Sequence, residues 1–207
     1  MHRTRIKICG LTREEDVLAA VNAGADAIGF VFYPPSPRFV PFERAAELAR
    51  LVPPFVTTVG LFVEPARDFV EAALARVPLQ VLQFHGDEAE ADCTGFGRPY
   101  IKAARMRPGL DLLKYAASFP GAQGLLLDAF VEGYGGGGET FDWSLIPDNL
   151  PMPLILSGGL NAANVTEAVR RVRPWAVDVS SGVESGKGIK DAARITDFVA
   201  GVQHAHG

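Results

Sequence analysis

Eight short apolar runs, each followed by a longer and more polar stretch, divide this sequence at regular intervals. The runs are rich in Val, Ile, Leu and Phe, and the stretches between them are rich in Ala, Glu and Arg. This alternation is typical of parallel strands joined by helices, because two parallel strands can be joined only by a long crossover. The predicted strands cover residues 5–9, 27–31, 57–62, 81–84, 100–103, 124–128, 154–157 and 176–179.

Eight such units without a change of composition predict one closed (β/α)8 barrel, an α/β fold, as a single domain over residues 1–207. An open doubly wound sheet is the alternative. The turn after the first strand reads Cys9-Gly10-Leu11-Thr12, which lacks the glycine fingerprint of a dinucleotide-binding sheet. The barrel is therefore the favoured architecture.

Capping residues indicate where three of the helices begin. Thr12 and Glu15 have the spacing of a capping box, and Gly24 is expected to end the same helix. Asn161 and Asp191 are predicted to cap two later helices, because each precedes a stretch with helical spacing of apolar residues.

Composition excludes several classes of protein. The chain has 20 Lys and Arg against 24 Asp and Glu, a net charge of -4, so it lacks the basic excess of a nucleic-acid binder. No stretch approaches the ~20 apolar residues of a membrane span, and no secretory signal is evident at the start. We expect a cytoplasmic protein with neither nucleic-acid nor membrane partners.

Cysteine and histidine are too sparse for a metal or disulfide framework. Cys9 and Cys93 are the two cysteines, and they lack the spacing of metal ligands. Three of the four histidines, His2, His204 and His206, lie near the ends of the chain. We therefore expect no bound metal.

Two residues at the ends of predicted strands are candidates for acid and base catalysis, because barrel active sites lie at the carboxyl ends of the strands. Arg5 and Lys7 share one face of the first strand with Cys9, and positive charge favours a thiolate. The alternative for Cys9 is a small buried apolar residue. Asp128 ends an apolar strand and is a candidate general acid, with a loop-anchoring carboxylate as its alternative.

Two loops resemble binding sites for an anion. Residues 157–161 read Ser-Gly-Gly-Leu-Asn after the seventh strand, and residues 180–184 read Ser-Ser-Gly-Val-Glu after the eighth. Loops at these places commonly hold phosphate in barrels, through backbone N–H groups that glycine lets a ligand approach. Ordinary tight turns are the alternative. The pattern favours a phosphorylated small molecule as substrate.

Three further features could contact that substrate. Arg38 follows a proline-rich loop and could present its guanidinium to a carboxylate, although a solvated arginine is as common. His85 ends the fourth predicted strand, where a histidine could contact substrate or satisfy a backbone group. A glycine run after the sixth strand is interpreted as a mobile lid, with a linker loop as the alternative. The lid residues are Gly135, Gly136, Gly137 and Gly138.

Several short motifs, distributed in order between residues 7 and 184, incorporate most of these candidates. They are Lys7-Ile8-Cys9-Gly10-Leu11-Thr12, Gly29-Phe30-Val31-Phe32, Ser36-Pro37-Arg38, Gln83-Phe84-His85-Gly86, Leu127-Asp128, Thr140-Phe141-Asp142-Trp143, Ser157-Gly158-Gly159-Leu160 and Asp178-Val179-Ser180-Ser181-Gly182-Val183-Glu184. Together they resemble the phosphoribosylanthranilate isomerase family. The sequence departs from the family pattern at Gly137 and Glu139, where the family's lid usually has a threonine and often a basic residue.

The resemblance implies an aldose–ketose isomerase of tryptophan biosynthesis. In its Amadori rearrangement, N-(5′-phosphoribosyl)anthranilate becomes 1-(2-carboxyphenylamino)-1-deoxyribulose 5-phosphate without any cofactor. The family's general base falls on Cys9 and its general acid on Asp128, and Arg38 faces the anthranilate carboxylate. The residues that the resemblance implies in substrate binding are Arg38, His85, Gly158, Gly159, Asp178, Ser180, Ser181 and Gly182.

Two other functions compete with this one. The histidine-pathway isomerases and their dual-substrate relatives have a similar barrel, but they are longer and have an aspartate where Cys9 stands. A non-catalytic phosphosugar-binding or assembly protein is the second alternative, because a fold does not determine function. The oligomer is expected to be a monomer or a homodimer.

Overall fold

The computed structural model describes residues 3–107, 109–129 and 140–206. Eight parallel strands close into a barrel in chain order, with the last strand paired to the first. The strands are β1 (Arg5–Cys9), β2 (Ala27–Val31), β3 (Thr57–Phe62), β4 (Val81–Phe84), β5 (Tyr100–Met106), β6 (Gly124–Ala129), β7 (Leu154–Leu156) and β8 (Ala176–Val179). The predicted (β/α)8 barrel is confirmed, and the open sheet is excluded.

Helices follow the strands on the outside of the barrel. They are α1 (Glu14–Ala23), α2 (Phe42–Ala49), α3 (Arg67–Arg76), α4 (Glu90–Cys93), α5 (Leu112–Ala117), α6 (Val165–Val172) and α7 (Ala192–His204). In the described residues between β6 and β7, a short 3-10 helix, Trp143–Leu145, takes the place of a full helix. A small antiparallel pair, β9 (Glu184–Gly186) and β10 (Ile189–Lys190), follows β8. Across the described ranges, no helix has the length and apolarity to span a membrane.

Five of the eight predicted strands have the observed bounds, and three differ at their carboxyl ends. The strand β5 continues to Met106 rather than residue 103, and β6 continues to Ala129, because these two strands pair without interruption from Ile101↔Gly124 to Met106↔Ala129. The strand β7 ends at Leu156. Ser157 lies beyond it, although its N–H still donates to the Leu127 carbonyl at 2.8 Å.

One of the three predicted helix starts is confirmed and two are wrong. The Asp191 carboxylate accepts hydrogen bonds from the N–H groups of Ala193 and Arg194, and so it caps α7. Thr12 does not cap α1, because its hydroxyl donates to the Gly188 carbonyl at 2.9 Å and the helix begins later. Asn161 stabilises a turn that precedes α6.

Gly24 ends α1 as predicted. Its φ of 96° places it in the left-handed region, where glycine is favoured because it has no Cβ. The N–H of Gly24 donates back to the carbonyls of Ala20 and Val21 and so closes the last turn of the helix.

The pairing register places the candidate residues on the inner face of the barrel. Neighbouring parallel strands present register partners to the same side, and alternate residues along a strand share a face. Lys7 pairs with Asp178 on β8, so the two side chains point to the same side. By the same alternation Cys9 lies above Lys7, at the carboxyl end of β1.

The outer face of the barrel carries a row of aromatic rings under the helices. Phe62 packs against Phe32 on one side and Phe84 on the other, with ring centroids 5.3 and 6.1 Å apart. Phe84 also contacts the edge of the Tyr100 ring at 5.9 Å. All four rings are buried, so they fill the layer between the strands β2 to β5 and their helices.

Replacing Phe84 with alanine is expected to lower the free energy of unfolding by about 3–5 kcal/mol, because the buried ring touches neighbours on both sides. Phe55 is fully exposed, so the change Phe55→Ala is the matched control and should alter it by less than ~0.5 kcal/mol. Urea unfolding followed by circular dichroism measures both. Equal losses for the two variants would contradict the assignment of the aromatic row to the core.

Candidate active site

A buried ion pair lies directly below Cys9 at the seam between the first and last strands. The ammonium of Lys7 donates to Asp178 Oδ1 at 2.8 Å, and both side chains are buried. Asp178 Oδ2 also accepts from the Ser157 hydroxyl at 3.3 Å. The attraction of Asp178 and Cys9 outweighs the effect of burial and raises the pKa of Lys7 above its usual range, so Lys7 stays charged.

The Cys9 thiol is buried and its pKa is raised rather than lowered. Burial is the largest cause, and Asp178 adds to it, while Lys7 and Lys190 act in the opposite direction. The expected direction for this thiol was therefore wrong, because the sequence shows the nearby cations but does not show the burial.

The second cation near Cys9 is also not the expected one. Arg5 shares the inner face of β1, but its guanidinium lies over the Trp175 ring, 3.7 Å from the ring centre. Lys190, on β10, lowers the pKa of Cys9 instead. Its ammonium donates to Ser180 Oγ at 3.1 Å, and that hydroxyl donates to the Cys9 carbonyl at 3.0 Å.

Asp128 lies near the carboxyl end of β6 and contacts His85. The distance between His85 Nε2 and Asp128 Oδ2 is 3.1 Å, and both residues are buried. Between β1 and β6 lie β8 and β7, so Cys9 and Asp128 approach the mouth of the barrel from different sides. A small molecule between them would have a thiol and a carboxyl group on separate flanks.

Arg38 forms a bidentate ion pair with Glu184. Its Nε and Nη2 atoms contact the two carboxylate oxygens at 2.7 and 2.8 Å. Lys190 donates to the same carboxylate at 2.8 Å. Burial raises the pKa of Glu184, but the hydrogen bonds and charges of Arg38 and Lys190 outweigh burial and lower it overall. Nη1 is the guanidinium nitrogen outside this pair.

The two predicted phosphate loops touch each other. We call residues 157–161 loop seven and residues 180–184 loop eight. A Cβ at Gly182 would lie 1.9 Å from the Leu160 carbonyl oxygen, so only glycine allows this approach. Gly158 and Gly159 both have positive φ, 81° and 63°, and they turn the chain sharply after β7. The two loops therefore form one surface at the carboxyl ends of β7 and β8.

The predicted lid and the expected absence of a metal are the remaining expectations for this site. The predicted lid, Gly135, Gly136, Gly137 and Gly138, lies outside the described residues. Within the described ranges, no group of three or more His, Cys, Asp and Glu side chains is arranged to hold a metal ion.

Comparison with known proteins identifies the family. A family model described as N-(5′-phosphoribosyl)anthranilate isomerase matches residues 6–201. The chain belongs to this isomerase family. It is therefore an enzyme that catalyses an intramolecular isomerisation, as the resemblance of its motifs implied.

Curated and solved members of the isomerase family support this assignment. The chain is 68% identical to N-(5′-phosphoribosyl)anthranilate isomerase of Dechloromonas aromatica over 203 residues, which are 98% of each chain. It is 64% identical to the enzyme of Methylibium petroleiphilum, over 98% of this chain and 95% of that one. The crystal structure of the Thermotoga maritima enzyme is 42% identical, with a TM-score of 0.87, over 97% of this chain and 99% of that one.

A further solved structure carries a ligand. It is a phosphoribosylanthranilate isomerase in complex with reduced 1-(o-carboxyphenylamino)-1-deoxyribulose 5-phosphate. That protein is 39% identical to this chain and has a TM-score of 0.83, with 97% of this chain and 99% of that one covered.

Sequence reasoning missed two buried polar residues that contact candidate site residues. Lys190 ends the short strand β10, which lies after the eighth barrel strand and which the apolar runs of the sequence do not predict. Gln83 is fully buried on β4, and its amide contacts His85 Nδ1 at 3.0 Å. The signal for Gln83 was available, because it precedes His85 by two residues and so shares its face of the strand.

The second cysteine of the isomerase has a different environment. Cys93 ends the short helix α4 and is buried in the outer layer. Burial and the charge of Glu88 raise the pKa of its thiol to about 12, so this thiol stays protonated at neutral pH. The sequence leaves a packing or a surface role open for Cys93, and its burial agrees with packing.

The pH dependence of alkylation tests the environment of the Cys9 thiol. In a Cys93→Ala background, the rate of reaction with iodoacetamide should show a midpoint above the ordinary thiol pKa of ~8.5. Lys7→Met should move the midpoint to higher pH, because it removes a cation that lowers the pKa of Cys9. Lys114→Met, an exposed control, should leave it unchanged.

The change Lys7→Met also leaves Asp178 buried without its partner, which is expected to destabilise the fold by about 3–5 kcal/mol. A double variant, Lys7→Met with Asp178→Asn, removes both charges and should recover part of this loss. Its alkylation midpoint should move less than that of the single variant. A midpoint below ~8 in the parent protein would contradict the raised pKa.

Proposed function

We propose that this enzyme converts N-(5′-phosphoribosyl)anthranilate to 1-(2-carboxyphenylamino)-1-deoxyribulose 5-phosphate in tryptophan biosynthesis, with Cys9 as general base and Asp128 as general acid. The observation that carries the proposal is the placement of a buried thiol and a buried carboxyl group on separate flanks of one barrel mouth. The ligand of the related solved structure, a reduced form of this product, supports the substrate class.

The rearrangement needs one acid and one base. Asp128 gives a proton to the ring oxygen of the ribose, the bond from that oxygen to C1 breaks, and an iminium ion forms at the nitrogen. The positive nitrogen acidifies the hydrogen on C2, and the Cys9 thiolate removes it. The enolamine that results becomes the ketone when C1 gains a proton and the oxygen on C2 loses one. No electron is lost or gained, so acid and base groups suffice.

Neighbouring side chains act on each group in the direction of its assigned role, although burial keeps the pKa of Cys9 raised overall. Lys7 and Lys190 both favour the thiolate of Cys9, against the opposing effect of burial. His85 contacts Asp128 Oδ2 and fixes the orientation of the carboxyl group. We assign His85 to the substrate site through this contact, and Asp178 through its hydrogen bond with Ser157 at the start of loop seven.

The two ends of the substrate would be held by separate groups. Loop seven and loop eight form one surface, and Gly158, Gly159, Ser181 and Gly182 are the residues that we assign to phosphate, with Ser180 at its edge. Arg38 is assigned to the anthranilate carboxylate. Because Glu184 holds two of its nitrogens, the guanidinium has a fixed position and Nη1 is the atom directed to this role. Fixing both ends would hold the ribose between acid and base.

Other expectations belong to the same proposal. A lid formed by residues 135–138, the absence of a cofactor and a single domain over residues 1–207 stay predictions from the sequence. A cytoplasmic location rests on the biosynthetic role of the family. The expected monomer or homodimer stays a prediction as well, although the Thermotoga maritima relative is a dimeric enzyme from which monomers have been generated.

Removing either catalytic group should abolish turnover. Cys9→Ala and Asp128→Asn are each expected to lower kcat by at least ~1000-fold while the affinity for a product analogue changes little, because proton transfer and not binding is lost. Cys93→Ala and the exposed Asp148→Asn are the matched controls and should retain full activity. Steady-state conversion of N-(5′-phosphoribosyl)anthranilate measures all four variants.

Near-normal kcat in either catalytic variant would contradict its role. Conversion of a histidine-pathway aminoaldose in place of the anthranilate compound would favour the rival isomerase. Binding of both compounds without conversion of either would favour the phosphosugar-binding protein.

Arg38→Lys is expected to weaken binding of the carboxylated substrate about tenfold or more, because a lysine ammonium cannot hold both oxygens of Glu184 and also present a further nitrogen to the substrate. Binding of an analogue with aniline in place of anthranilate should change much less. Isothermal titration with the two product analogues compares them. Equal losses for both would mean that Arg38 acts only through its ion pair with Glu184.

A further inference from the structure

A chain of three polar side chains runs from the interior of the barrel to the proposed acid. Gln83 lies on β4, two residues before His85, and its side chain is fully buried. Its Nε2 atom is 3.0 Å from His85 Nδ1. On the other side of the ring, His85 Nε2 is 3.1 Å from Asp128 Oδ2. The imidazole is therefore held between an amide and a carboxyl group.

The amide determines which nitrogen of the imidazole carries the proton. An NH2 group can only donate, so Nδ1 accepts with its lone pair. The single proton of a neutral ring is then on Nε2, which donates it to the carboxylate of Asp128. The arrangement in the structure is thus the form in which the His85–Asp128 pair holds one proton.

The other end of the same amide has no partner. Gln83 Oε1 is buried and receives no hydrogen bond from the described residues. A half-turn of the amide would exchange Nε2 and Oε1 and present an acceptor to Nδ1. That acceptor is required when the pair holds two protons, because Nδ1 then carries a hydrogen.

We propose that Gln83 is a positioning residue for the general acid, which sets the tautomer of His85 and turns its amide when the His85–Asp128 pair takes up a second proton. The inference rests on the proposed function of Asp128. In this two-proton form, which we call the loaded form, Gln83 Oε1 accepts the Nδ1–H, and the second proton is shared by His85 Nε2 and Asp128 Oδ2, from which the carboxyl group transfers it to the substrate.

The protons balance over one turnover. The O–H bond of Asp128 breaks as the ring oxygen of the substrate gains that proton. His85 keeps its proton on Nδ1, held by Gln83 Oε1, throughout this step. When the enolamine becomes the ketone, the hydroxyl on C2 loses a proton, which returns to Asp128. The pair thereby regains its loaded form without any other reagent.

Three pairs of opposite charge lie on the surrounding elements, Lys7–Asp178, Lys102–Glu88 and Arg105–Asp87. Lys102 on β5 contacts Glu88 at 3.0 Å, and these two bind the carbonyl and N–H of Gly86, next to His85. The other titratable side chains on the neighbouring strands and in the turns after them are Lys7 and Cys9 of β1, Glu64 after β3, Asp87 and Glu88 after β4, Lys102 and Arg105 of β5, and Asp178 of β8. A new charge at position 83 would act on Nδ1 directly.

The variants Gln83→Glu and Gln83→Leu test the proposal in opposite ways. A carboxylate at position 83 would hold a proton on Nδ1 and stabilise the loaded form. The alkaline limb of kcat/KM should then move to higher pH by about one unit. Leucine offers neither donor nor acceptor, so kcat should fall about tenfold with little change in KM. Gln80→Glu, at an exposed glutamine whose oxygen accepts from the Thr58 N–H, is the matched control and should leave the profile unchanged.

Nitrogen NMR of the histidine ring gives a readout independent of turnover. In the parent protein at high pH, His85 should carry its proton on Nε2, and at low pH on both nitrogens. In Gln83→Glu both nitrogens should stay protonated to higher pH, and in Gln83→Leu the two neutral tautomers should mix. His85→Gln identifies the signals among those of the four histidines.

The outcomes separate this inference from the proposed function. A proton on Nδ1 of the parent protein at high pH would overturn the inference even if every variant failed to fold. Equal losses at every pH in both Gln83 variants, with the parent tautomer retained, would also overturn it and would leave Asp128 as the acid. Full activity in Asp128→Asn would instead overturn the proposed function, whatever the tautomer of His85.

Discussion

The ion pair between Lys7 and Asp178 joins the two strands at which the barrel closes. Both side chains are buried, so removal of either charge leaves the other one buried and unpaired. The pair fixes the register of the first strand against the last, and this register determines which side chains face inward. Cys9 lies two residues after Lys7 on β1 and so faces the mouth of the barrel, above this ion pair.

Contacts between buried opposite charges are repeated around the mouth. Arg38 and Lys190 share Glu184, and Lys102 contacts Glu88 behind the strand that carries Gln83. These pairs join segments that are distant in the sequence, such as residues 38 and 184. Each ion pair contacts or adjoins a residue of the candidate site, and so it holds the backbone or side chain of that residue in place.

The architecture was predictable because strand and helix periods are local properties of a sequence. A parallel barrel places the carboxyl ends of all its strands at one rim. The placement of Cys9, His85 and Asp128 at that rim followed from the same reasoning. The family resemblance added the reaction, which no periodicity reveals. Contacts made only on folding were not predictable. Thr12 has the residue type of a helix cap but binds the Gly188 carbonyl, and the pKa of Cys9 depends on burial that the sequence does not display.

The close approach of Gly182 to the Leu160 carbonyl has a consequence for redesign of this barrel. Loops at the rim of a (β/α)8 barrel are usually regarded as separate parts that can be exchanged one at a time. Here the two backbones touch, so a longer side chain or an insertion in one loop displaces the other. Any redesign of the proposed anion site would have to transfer both loops together, as one structural module.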